Sequence, residues 1–252
     1  MRIMPEFKCD DCECILEQAK LRNVHLKLLG GWAIQYTSPI SDELKLILSR
    51  KPNDIDVIGL RKEKRDIYEV MKSCGYEPDE RFNAFNGDFR LLFHKGDILL
   101  DVFLNEFSMC QEIDMTDRLF NDYPTISVDD LLLTKVQIIE INEKDLKDIL
   151  RLIAANKLNP NGTNYNDINL SFIEKMTGEN YGIYRSYLQN MKKALDYLHH
   201  LEINPEVKRE IEEKIKKIIN VTENSKKSLK WKMRAKIGDS MPWYKLPEEK
   251  KR

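Results

Sequence analysis

The chain has 252 residues with 42% hydrophobic and 33% charged side chains, the composition of an ordinary folded protein with a core. Its formal net charge of −1 excludes a uniformly basic nucleic-acid binder, although residues 206–252 carry 15 Lys or Arg against 8 Asp or Glu. No run of about 18 apolar residues exists to span a membrane, and the acidic, cysteine-bearing start MRIMPEFKCDDCEC lacks the apolar centre of a signal peptide, so the expected setting is cytoplasmic.

In chain order, the pattern over Asp11–Asn23 predicts a short helix with Ile15, Leu16, Ala19 and Leu21 on its apolar side. Cys9, Cys12 and Cys14 cluster at its start, whereas Cys74 and Cys110 stand apart. A structural zinc site commonly needs two cysteine pairs, so these read as free thiols, with a metal borrowing a distant ligand or a redox cluster as the alternatives. Alternation of Val24, Leu26 and Leu28 predicts a strand running into Gly30-Gly31, with a helix from Trp32. Ser41 caps a second short helix, and Asp54–Leu60 reads as the next strand. Lys62–Ser73 is an amphipathic helix on Ile67, Val70 and Met71, stopped at Gly75. FRLLFHKGDILLDVFL reads as a β-hairpin turning at Lys95-Gly96.

A helix is expected over Val128–Leu152, followed by an Asn-, Gly- and Pro-rich linker to Asn166. Four helical patterns follow: Ile168–Met176, Tyr184–Leu201, Pro205–Asn220 and Glu223–Lys236. The last is expected to dock through Leu229, Met233 and Ile237, with single-stranded nucleic acid as the alternative partner of its basic and aromatic residues. The fold class is α+β: a small mixed twisted sheet with flanking helices over 1–126, then a helical region over 127–252.

Three features carry chemistry. Asp54 and Asp56 share one strand face about 6.5–7 Å apart, where two carboxylates raise each other's pKa unless a cation lies between them. Mg²⁺ accepts such hard oxygen ligands and leaves room for phosphates. Asp101, set among apolar residues of the hairpin, is the third candidate, and Asp97 in the turn a weaker one. Gly30 and Gly31 leave phosphate a Cβ-free approach to helix-start amides. Each feature also has a bland reading, Asp54 as a turn residue and the glycines as a turn alone. Trp32 reads as core and His25 as structural, while exposure in a turn accounts for His94 and Lys95. His199-His200 lacks companion ligands.

The ordered set Gly30-Gly31, Asp54-Ile55-Asp56 and Asp101 resembles the signature of the DNA polymerase β-like nucleotidyltransferase superfamily. GGWAI, Arg50 and DIDV resemble the branch of lincosamide and aminoglycoside nucleotidyltransferases and AbiEii-type toxins, with Pro52 where that branch often has a histidine. The stretch DDLLLTKVQIIEINEKDLKDI resembles the AbiEii-like helix at Lys135, Lys144, Asp145 and Asp148. The resemblance spans about residues 24–150. It implies Mg²⁺-dependent transfer of a nucleoside monophosphate from an NTP to a hydroxyl on RNA, protein or a small molecule. Asp54, Asp56 and Asp101 would bind metal and catalyse, and Gly30, Gly31, Arg50, Lys135 and Lys144 would hold the nucleotide. A partner protein is a further expectation, and an inactive binding module of the same fold is the alternative.

Overall fold

The computed structural model describes residues 8–162 and 164–246. Two compact units emerge, residues 1–39, 51–108 and 112–126 in the first and residues 40–50, 109–111 and 127–252 in the second. Segments 40–50 and 109–111 thus belong with residues from 127 onward rather than with their neighbours in sequence.

The first unit begins with α1 (Asp10–Leu21), β1 (Leu26–Leu29) and α2 (Gly30–Thr37). The chain passes through α3 (Asp42–Leu48) of the second unit and returns with β2 (Asp54–Gly59) and α4 (Lys64–Ser73). Then come β3 (Glu77–Pro78), α5 (Glu80–Asn86), β4 (Arg90–Lys95) and β5 (Ile98–Leu104), with a small hairpin of β6 (Glu106–Ser108) and β7 (Glu112–Asp114). The main sheet is mixed, in the order β1-β2-β5-β4-β3: β2 and β5 run parallel, and the other pairs are antiparallel. Ile55 and Val57 are buried on one sheet face, and Ile67, Val70 and Met71 bury the apolar side of α4. The open side of β1 is covered where Leu28 exchanges backbone hydrogen bonds with Pro124 and Ile126, which blunts an otherwise unpaired edge.

The expected hairpin is β4–β5. Its register pairs Lys95 with Ile98, so the two turn residues are Gly96 and Asp97, one position later than read, and Gly96 takes the left-handed φ of +55°. The segment between Tyr76 and Phe89, unassigned from sequence, supplies β3 and α5.

In the second unit the long helix expected over Val128–Leu152 is two: α6 (Val128–Val136) and α7 (Glu143–Ala155). Asn142 forms a reciprocal capping box with Asp145, and that local satisfaction of helix-start amides favours a break over continuation. The expected linker contains β8 (Leu158–Asn159), which pairs in parallel with β9 (Ile168–Asn169). Helices α8 (Leu170–Glu179), α9 (Tyr181–His200), α10 (Pro205–Asn224) and α11 (Leu229–Ile237) complete the unit.

Two expectations fail here. Leu229, Met233 and Ile237 do not dock: they are 78%, 63% and 47% exposed. Trp231 turns inward instead, against the rings of Tyr181 and Tyr184 at 5.3 and 5.1 Å, with Lys227 over Tyr184. One large ring faces about 160° away from the middle of the aliphatic row on a helical wheel, and its larger contact area decides the rotation. Nor are the clustered cysteines free: Cys9 is bonded to Cys12 and Cys14 to Cys74, and Cys110 is the free, buried thiol.

Candidate active site

Strand geometry sets the carboxylates. Asp54 and Asp56 alternate onto one face of β2, and the parallel register places Asp101 directly opposite Asp56 on β5. The three share a sheet face. They grade inward: Asp54 is exposed, Asp56 half-buried, and Asp101 2% exposed.

Gly30 closes in on this face from β1. Leu29 pairs with Asp56, and the chain then turns into α2 at Gly30 with φ of +68°. A Cβ there would stand 2.1 Å from Asp56 Oδ2, so only glycine lets the start of α2 press against this carboxylate. Gly31 follows it, also buried.

Asp101 has a basic neighbour that the sequence reading did not single out. Arg90 Nε donates to Asp101 Oδ1 at 2.8 Å, and its guanidinium lies over the Phe103 ring at 5.0 Å. The hairpin turn could have revealed it: pairing Lys95 with Ile98 puts Leu92 opposite Asp101, with Arg90 one diagonal step away on the same face. Lys27 also lies on this face, paired with Ile58. Its ammonium donates to the carbonyls of Asn121 (2.7 Å) and Tyr123, and burial lowers its pKa to about 8.

As donors for Mg²⁺, the three carboxylates have the right chemistry and share a face. Their spacing does not complete a site: among the described residues no group of three or more His, Cys, Asp or Glu stands close enough to hold a metal, and Asp101 is engaged by Arg90.

The basic candidates lie in the second unit. Arg50 makes a two-pronged contact with Asp148, Nε to Oδ1 at 3.1 Å and Nη2 to Oδ2 at 2.6 Å. Lys135 Nζ sits 2.9 Å from Asp148 and 3.2 Å from Asp145, so it is not a solvated helix lysine. Burial alone would lower its pKa, and Arg50 works in the same direction, but Asp148 and Asp145 outweigh both and the net shift is upward. Lys144 is exposed on the first turn of α7. Near the other histidine candidates, Glu63 brackets His25 through both its ring and its backbone N–H, as suits a structural histidine. His94 lies 3.6 Å from Glu77, and His199 lies 3.5 Å from Glu212. Trp32 is core.

The sequence matches no protein-family model and no curated protein. Among solved structures, the chain is similar to the antibiotic-resistance factor ANT(2'')-Ia in solution, at 17% identity and TM-score 0.39, over 56% of this chain and 80% of that one. It is also similar to the lincosamide antibiotic adenylyltransferase LnuA with lincomycin bound, at 18% identity and TM-score 0.39, over 57% of this chain and 96% of that one. The mixed-sheet fold stands on the strand order and register given above. No helix among the described residues is long and apolar enough to cross a membrane.

Proposed function

We propose that the protein is a nucleotidyltransferase that moves a nucleoside monophosphate from an NTP to a hydroxyl acceptor. The observation that carries this reading is the contact of Gly30 with Asp56 on the face shared by Asp54 and Asp101. It puts helix-start backbone, suited to phosphate oxygens, beside carboxylates suited to a divalent cation.

In this reading Gly30 and Gly31 admit the triphosphate, and Asp54 and Asp56 would hold Mg²⁺ together with the phosphate oxygens, which supply the ligands that the carboxylates alone do not. The ion, when bound, would neutralise the carboxylates and offset charge on the transferred phosphate. Asp101 faces the acceptor side and orients the attacking hydroxyl, with Arg90 fixing the direction of its carboxylate. Arg50, Lys135 and Lys144 are proposed nucleotide contacts on sequence grounds, and the ion pairs with Asp148 hold the first two in place. The acceptor class is RNA, protein or a small hydroxylated molecule, and the proposed setting is the cytoplasm.

One observation favours a second reading, an inactive binding module: the Arg90–Asp101 pair already neutralises the third carboxylate. A single experiment separates the two. The protein is incubated with each labelled NTP and Mg²⁺ in total cell extract, beside a variant carrying Asp54→Asn and Asp56→Asn. Transferase activity predicts label on one class of acceptor, reduced on the order of 100-fold or more in the variant. NTP binding without label transfer supports the binding module, and equal labelling by the variant removes the proposed chemistry.

A further inference from the structure

The two disulfides of the first unit differ in the properties that govern exchange. Cys14–Cys74 joins α1 to the end of α4 across 60 residues; like Cys9–Cys12 it links a half-exposed cysteine to a buried one, so span rather than exposure separates the two bonds. Cys9–Cys12 closes a loop of three positions within the first turn of α1, so it ties no distant elements together. Its sulfurs are unequal. Cys9, the N-cap, is half-exposed, Cys12 is buried, and the Cys12 backbone N–H donates to Cys9 Sγ at 3.1 Å. That bond and the positive end of α1 both favour a thiolate on Cys9. Asp10, Asp11 and Glu13 in the same turn oppose it, but Asp10 is paired with Lys8 at 2.6 Å and Asp11 with Lys95 at 2.7 Å. A half-exposed cysteine followed three residues later by a buried one is the asymmetry that dithiol exchange requires, one to meet the external sulfur and one to resolve.

We propose that Cys9–Cys12 is a thiol–disulfide exchange site for small thiols of the glutathione class, with Cys14–Cys74 as the structural bond beside it. An external thiolate attacks Cys9 Sγ. The new S–S bond forms there as the Cys9–Cys12 bond breaks, and its electron pair goes to Cys12 Sγ, which takes a proton from water. A second thiolate attacks the external sulfur of the mixed disulfide, and Cys9 leaves as thiolate. Two thiols are oxidised to one disulfide, and one protein disulfide is reduced to a dithiol. In reverse, the Cys9 thiolate attacks a small disulfide and Cys12 resolves it. This site is independent of the proposed transferase chemistry.

The test incubates the oxidised full chain in graded mixtures of reduced and oxidised glutathione, quenches samples by alkylation over a time course and reads each cysteine by peptide mass spectrometry. Cys9 and Cys12 are expected to open together at a rate about tenfold or more above that of Cys14–Cys74. A Cys12→Ser chain is expected to trap glutathione on Cys9, and a Cys9→Ser chain to leave Cys12 unmodified. Simultaneous opening of both bonds, earlier opening of Cys14–Cys74, or equal trapping by the two variants would overturn the proposal. Both variants keep Cys14–Cys74, and circular dichroism confirms their fold.

Discussion

At Gly30 one missing methyl group decides the local geometry. Its φ of +68° disfavours any side chain, and a Cβ there could be accommodated only if the Asp56 carboxylate moved aside. Gly30→Ala is expected to cost about 2–4 kcal/mol from backbone strain and overpacking, measured by urea unfolding, and to lower label transfer more than the stability loss explains. Lys27 tests the same face through pH. Its folded pKa of about 8 lies below the unfolded value of about 10.4, so between these pH values the unfolded chain binds more protons. Stability is therefore expected to gain an upward contribution as pH rises from 8 towards 10.4. Unfolding midpoints for wild type and Lys27→Met across that window should show this gain in wild type alone.

Elements in this chain begin and end where side chains can satisfy backbone amides or where covalent bonds fix them. The Asn142 capping box starts α7 and separates it from α6, and Asn142→Ala is expected to destabilise the protein by about 1 kcal/mol in thermal or urea unfolding. Cys14–Cys74 pins α1 to α4. Its loss in Cys14→Ser should cost about 4 kcal/mol by loop-closure entropy in oxidised protein, and the difference should vanish once both chains are fully reduced. The rotation of α11 belongs to this scale too. A period of four in Leu229, Met233 and Ile237 identifies an apolar row correctly, but not whether a larger neighbour, Trp231, will take the inward place.

Across the molecule, charges are sorted between the two units. The first gathers carboxylates on one sheet face. The second holds the Arg50–Asp148–Lys135 network, in which two half-buried cations share the buried Asp148 carboxylate. Asp148→Ala leaves two cations without that partner and is expected to cost about 3–5 kcal/mol, read as a lowered urea midpoint. With the Lys135 pKa raised, its contribution is present below the unfolded lysine pKa and is lost only as pH rises through the higher folded value. Neutral-pH variation should therefore leave it intact.

Much was legible in the chain by itself. Apolar runs over Asp54–Leu60 and around Asp101 marked two strands, helical spacing marked α4 and α8 to α10, and the parity of Asp54 with Asp56 put both on one face, because all of these follow from local sequence pattern. The helix expected from Glu223 instead starts at Leu229, since α10 runs on to Asn224. Tertiary structure alone decided the rest. Strand order and register set Asp101 opposite Asp56 and Arg90 against Asp101. The approach of two segments joined Cys14 to Cys74, and competition for buried area turned Trp231 inward. A period assigns a residue to a face of its own element; what stands across from that face depends on long-range packing.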